Sequence, residues 1–134
     1  MIEMNLATAL KAVHAAQEKA KSLGLSMTVS VVDESGRLVV TMKADGTGFL
    51  TPETSRAKAV AAAAFRTSTL KLASLQATNP FWASVPTATR GEALPTGGAV
   101  PILVNGRVIG AIGCGGGTAE QDDVCATAGA QAVA

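Results

Sequence analysis

Apolar side chains recur at Leu6, Leu10, Val13, Ala16 and Ala20, and Gly24 follows where a helix would end. That spacing predicts a helix over residues 6–23, with His14 on the flank of its apolar stripe. Thr28, Val29, Val31 and Val32 come in quick succession and predict a strand over residues 27–32. Asp33-Glu34-Ser35-Gly36 reads as a turn and residues 37–43 as the returning strand, before Asp45-Gly46-Thr47-Gly48 breaks the chain. Thr51-Pro52-Glu53 supplies a hydroxyl cap, a first-position proline and a first-turn acid, predicting a helix through Lys58 and Phe65 to Leu75. Its many alanines imply close approach to a neighbour, either the sheet or another subunit.

Residues 79–98 hold Pro80, Pro86 and Pro95 and read as a long irregular loop with room for a short strand. Residues 100–104, the Asn105-Gly106 turn and residues 107–114 form the clearest hairpin in the chain. Gly115, Gly116 and Gly117 follow, and Thr118-Ala119-Glu120-Gln121 opens the last helix as a capping box. Hairpins make the sheet antiparallel, so the class is α+β in a single domain over residues 1–134.

Composition narrows the function classes. The 134 residues carry a net charge of +1 with 3% aromatics and no tyrosine, which argues against a nucleic-acid surface. One histidine and two cysteines fall short of the four ligands of a structural zinc site. No apolar run reaches the ~18 residues of a membrane span. The start, Met1-Ile2-Glu3-Met4-Asn5, has an acid and no basic cluster, unlike a secretory signal, so a cytoplasmic protein is expected.

Four features carry candidate chemistry. Gly115, Gly116 and Gly117, with Cys114 before and Thr118 after, join a strand to a helix start, either as an anion-binding cradle or as a tight turn. His14 is the only imidazole: a surface histidine, or an axial ligand to heme iron that needs an accessible nitrogen and an apolar pocket. Lys58 and Arg56 could hold a substrate carboxylate or a heme propionate, or form a solvated helix face with snorkelling stems. Cys114 and Cys125 read as small buried residues, although a helix N-terminus would lower the pKa of Cys114.

Read together, several segments resemble the GlcG/HbpS family, also seen as the C-terminal domain of PduO-type proteins. They are Val31-Val32-Asp33 with Gly36; Lys43-Ala44-Asp45-Gly46; Lys58-Ala59 with Phe65-Arg66; Gly97-Gly98 with Pro101-Ile102; and Gly110-Ala111-Ile112-Gly113 with Gly116-Gly117-Thr118. Glu120-Gln121-Asp122 and Cys125-Ala126 complete the series, which spans nearly the whole chain. The resemblance implies a profilin-like fold with a five-stranded antiparallel sheet flanked by helices, assembly into a homo-oligomer, and heme as the ligand. It implies heme degradation or sensing in some members, and a first-helix histidine, here His14, as the iron ligand. Three departures stand out: Gly115 where serine is frequent, Ala61 where threonine is, and Lys43 where arginine is usual. A site lined by those groups would be less polar here.

Three functions follow as expectations. The first is a heme-binding homo-oligomer for heme sensing, storage or degradation, using His14 with Lys58 or Arg56, and with Met27 and Met42 as soft apolar contacts. The second is a catabolic enzyme doing acid–base chemistry on a small organic acid. Its pocket would combine the glycine turn, Gly97, Gly98, Asp45 and Lys58, with the loop around Phe81 and Trp82 as a lid. The third is a non-catalytic partner acting through its oligomeric surface.

Overall fold

The computed structural model describes residues 3–134; Met1 and Ile2, part of the segment read above for a targeting signal, lie outside the described residues. The elements are Leu6–Ser22 (α1), Thr28–Asp33 (β1), Leu38–Met42 (β2), Thr51–Phe65 (α2), Thr69–Leu75 (α3), Phe81–Ala88 (α4), Ala99–Val104 (β3), Arg107–Gly115 (β4) and Ala119–Gln131 (α5). The strands form one antiparallel sheet in the order β2-β1-β4-β3. The α+β class therefore holds, but with four strands among the described residues rather than five. The segment with room for a further strand folds instead into α4, whose start is held by the Asn79 Oδ1 accepting from the Phe81 amide at 3.1 Å.

Side-chain alternation along β1 sorts the helices onto two faces. Val29 and Val31 join Val13, Ala16, Ile112 and Cys125 in the core beneath α1 and α5. Thr28 and Ser30 point the other way, to hydroxyls of α2: Thr51 Oγ1 donates to Thr28 Oγ1 at 2.8 Å, and the Ser30 and Ser55 hydroxyls are 2.8 Å apart. Ser30 also meets Thr41 of β2 at 2.7 Å, so a buried hydroxyl chain satisfies its own polar atoms while tying α2 to two strands.

The close neighbour of the alanine helix is the sheet. Ala59, Ala62 and Ala63 pack against Val32, Ala99 and Ala111. Gly113 of β4 is the point of nearest approach: a Cβ there would fall on the Ser55 carbonyl oxygen and lie 3.0 Å from the Ala59 nitrogen.

Two helix boundaries differ from expectation. Thr51 is not the cap of α2 but its first residue; the cap is Leu50, and the Thr51 hydroxyl donates to the Gly48 carbonyl at 2.7 Å. The helix expected to reach Leu75 ends at Arg66, whose φ of 55° is left-handed. Ser68 then accepts from the Lys71 amide at 3.2 Å and starts α3 as a separate helix. The last helix is as expected, with the Thr118–Gln121 capping box present in both directions.

Candidate functional site

His14 lies exposed on α1, and among the described residues its imidazole has no hydrogen-bond or ion-pair partner. Three, four and seven residues further along the helix stand Gln17, Glu18 and Lys21, on the same flank. Those three residues form one wall of a cleft of about 440 Å³ whose other walls are Leu25, Ser26, Met27, Met42, Lys43, Ala44 and Asp45. The Gln17 amide spans the gap between the two strands, with long contacts of 3.5 Å to the Met27 and Met42 carbonyls. The cleft thus combines the Met42 thioether and Leu25 with two ammonium groups at its rim, one helical turn from the His14 imidazole, while the Met27 side chain is buried toward Gly116 and Gly117. Such a set fits heme: soft apolar contact for the macrocycle, cations for propionates, and a nitrogen for iron.

Lys58 occupies a different place. It is buried, and its Nζ donates to Asp122 Oδ2 at 3.1 Å and to the Gly97 carbonyl at 3.3 Å. The Asp122 Oδ1 accepts from the Gly117 amide at 2.9 Å, so one carboxylate links α2, α5 and the glycine turn. Gly98 makes the meeting possible: a Cβ there would stand 2.7 Å from Lys58 Nζ and 2.8 Å from the Asp122 Cβ, and its φ is +131°. Burial raises the Asp122 carboxyl above the ordinary range, opposed by the Lys58 amine and the Gly117 amide.

The glycine turn has its own packing. A Cβ at Gly116 would meet the Ser26 carbonyl at 2.5 Å, and one at Gly117 would meet Met27 Cε at 2.9 Å. Its amides are engaged as well, Gly117 by Asp122 and Thr118 by Gln121 Oε1 at 2.9 Å. Only Gly115 has ordinary room, with Thr51 at 3.5 Å.

The structure therefore brings Lys58, Gly97, Gly98, Cys114, Gly117 and Asp122 together, and it keeps Asp45, Arg56 and His14 elsewhere. Asp45 is at the α1 cleft, and Arg56 is exposed on α2, across the sheet from α1. The three departures scatter likewise: Lys43 lines the α1 cleft, Gly115 faces Thr51, and Ala61 is buried against Val85 and Ala93. They do not line one site. Phe81 and Trp82, expected in a lid loop, are on α4 and make edge contacts with Phe65, with centroids 6.4 and 4.9 Å away. Sequence reasoning missed Asp122 as the partner of Lys58, 64 residues away, and Gln17 and Lys21 as cleft residues. The signal available for the pair was a glycine doublet, Gly97-Gly98, beyond what one turn requires.

Cys114 and Cys125 are free and buried. Burial pushes the Cys114 thiol well up, with Cys125 and Asp122 adding to the rise; burial and Asp122 also raise Cys125. Both thiols are therefore expected to resist alkylation in the native protein at pH 8 and to react after denaturation, as counted by mass spectrometry. In the unfolded chain they ionise near 9.0, their ordinary value, while the folded chain keeps both protons. Stability accordingly falls as the pH rises above about 9, because the unfolded state then binds fewer protons.

Comparison with known proteins agrees with this architecture. A family model described as HbpS-like, haem degrading protein, matches residues 4–131. The corrinoid adenosyltransferase PduO of Salmonella typhimurium is 30% identical over 115 residues, 85% of this chain but 34% of PduO, so the chain spans about a third of that relative. The crystal structure of HbpS aligns with a TM-score of 0.90 at 30% identity, covering 100% of this chain and 92% of HbpS. A crystal structure described as a PduOC:heme complex aligns with a TM-score of 0.87 at 26% identity, covering 98% and 95% of the two chains.

Proposed function

The chain belongs to the HbpS-like family, and on that premise we propose that it binds heme in the cleft between α1 and the β1–β2 hairpin, where His14 would hold the iron. The observation that carries the proposal is the position of His14: an imidazole without a partner among the described residues, one turn from a cleft walled by Leu25 and Met42. Bound heme would supply an iron centre capable of electron transfer and oxygen chemistry. The chain's own residues do the rest. Leu25 and Met42 would keep water from the macrocycle, and Lys21 and Lys43 would pair with propionates as single-point cations.

Lys58 and Arg56 drop out of this role within one subunit. Lys58 is committed to Asp122, and Arg56 lies across the sheet from His14. The rim residues Glu18, Lys21, Lys43 and Asp45 are exposed, which suits reversible holding of heme, as in sensing or storage, more than enclosure for degradation. The alternative of an acid–base enzyme at the glycine turn has less support, because Asp45 and Lys58 stand apart and the Gly117 and Thr118 amides are engaged.

The proposal includes assembly into a homo-oligomer in the cytoplasm. Phe49 and Leu50 are neighbours and stand 84% and 58% exposed, an apolar pair suited to burial against another copy. Two free thiols suit a reducing compartment, and no helix among the described residues is long and apolar enough to cross a membrane. Hemin titration followed in the Soret region tests the binding site. One saturable equivalent per chain is expected, weakened by Met42→Glu, which puts a charge on the cleft wall, and unchanged by Arg56→Gln. No spectral shift, or identical binding by Met42→Glu, would remove the cleft from consideration.

A further inference from the structure

Arg56 has no part in the heme site, yet it faces a cleft of its own. The β1–β2 turn, α2 and the segment before β3 enclose about 620 Å³ lined by Ser35, Gly36, Arg37, Leu38, Arg56, Val60 and Glu92. Two arginines from different elements, Arg37 and Arg56, line it. Neither guanidinium has a hydrogen bond or ion pair among the described residues.

The acids nearest Arg37 in sequence make no ion pair with it. Glu34, in the same turn, is held by Arg107 with oxygens at 3.0 and 3.1 Å. Asp33 Oδ1 accepts from the Ser35 and Arg37 backbone amides at 2.9 and 3.1 Å, which fixes the turn that carries Arg37. Gly36, with φ of 79°, sets the turn close to α2: a Cβ there would stand 3.5 Å from the Val60 side chain. Glu92 is the one acid on the wall, and it is not within ion-pair distance of either arginine. Two cations and one anion line this cleft of small-molecule size, and Glu53, which shares the adjoining cleft with Arg56 and Glu92, makes no ion pair with either arginine.

The geometry points to a binding site for a small oxyanion, carboxylate or phosphate, gripped between Arg37 and Arg56. Guanidinium forks match the paired oxygens of either group, and two of them on separate elements favour a ligand with more than one anionic oxygen pair. Glu92 limits the charge the cleft accepts, so it repels a polyanionic strand while leaving room for a compact metabolite. This site lies across the sheet from His14 and stands or falls independently of heme binding.

Calorimetric titration at low ionic strength tests the site, with citrate as the carboxylate probe and inorganic phosphate as the phosphate probe. Saturable binding of one probe is expected, and which probe binds identifies the source of the oxyanion. Arg37→Gln and Arg56→Gln should each weaken it roughly tenfold or more, as loss of a charged hydrogen-bonding partner does. Glu92→Gln should strengthen it, and His14→Ala should leave it unchanged. Lys71→Gln, which removes an exposed charge on α3, controls for net charge alone. The proposal is overturned if neither probe saturates, if both arginine variants bind as the parent does, or if Lys71→Gln weakens binding as much as they do. Both arginines are exposed and unpartnered, so circular dichroism should show these variants folded.

Discussion

Lys58→Met is expected to destabilise the fold by about 3–5 kcal/mol, the range for removing one partner of a buried ion pair. The melting temperature would fall on the order of 10 °C for a domain of this size. The loss comes from what remains: Asp122, 4% exposed, would keep its charge in the interior with only the Gly117 amide to stabilise it. Lys58→Met/Asp122→Asn should recover most of the loss, because it removes both charges yet leaves an acceptor for that amide. Urea unfolding reads the effect as a lower midpoint with an unchanged slope. The sign of the pH dependence follows from the raised Asp122 carboxyl. Without Lys58 the carboxyl rises further, so the folded chain takes up its proton before the unfolded one does as the pH falls. The deficit of the single variant is therefore full at neutral pH and shrinks on acidification through the folded-state pKa. A single variant within about 1 kcal/mol of the parent, or a double variant no better than the single, would show that the pair is solvated.

Gly113→Val is the second large effect, and it acts through packing alone. The first added carbon falls on the Ser55 carbonyl oxygen, which belongs to helix backbone and cannot rotate away. The helix α2 must lift from β4, and the Ser30–Ser55 hydroxyl contact at 2.8 Å goes with it. Overpacking of this kind costs about 1–3 kcal/mol when side chains can adjust. Here backbone has to move, so the expected loss lies at or above the top of that range. Gly115→Ser, two residues on, is the matched control. Its Cβ would meet Thr51 at 3.5 Å and Thr54 Oγ1 at 3.6 Å, ordinary contacts that leave room for a hydroxyl. It should be close to neutral by thermal melting, and a loss as large as that of Gly113→Val would contradict the packing described here.

Local chemistry was legible in the chain and long-range pairing was not. The Asn105-Gly106 hairpin and the Thr118–Gln121 capping box follow from neighbours within a few residues, and both are present. The break at Arg66 carried no such mark, because a left-handed cap is usually announced by glycine and here an arginine adopts it. The helix α4 was hidden by Pro80 and Pro86, which read as loop formers; Pro80 sits at the helix start, where a missing amide hydrogen costs little. The fifth strand came with the family resemblance and with the room for a short strand in residues 79–98, a segment that folds into α4.

At the candidate sites the same division holds. His14 could be marked as the only imidazole on a stripe flank, since that is a helical-spacing argument. Lys58 could be singled out but not paired, because Asp122 reads as an ordinary first-turn acid of α5 until the fold brings the two together. The glycines after β4 suggested an anion cradle; side-chain contacts of Met27 and the Asp122 carboxylate use that space and those amides instead.

The central claim, that His14 ligates heme iron, is tested most directly by His14→Gly with and without added imidazole. Loss of the parent's Soret and visible bands on hemin addition, and their return when imidazole fills the space left by the side chain, is the predicted result. A variant whose hemin spectrum matches the parent without imidazole would contradict it, and would move the ligand to another residue of the cleft.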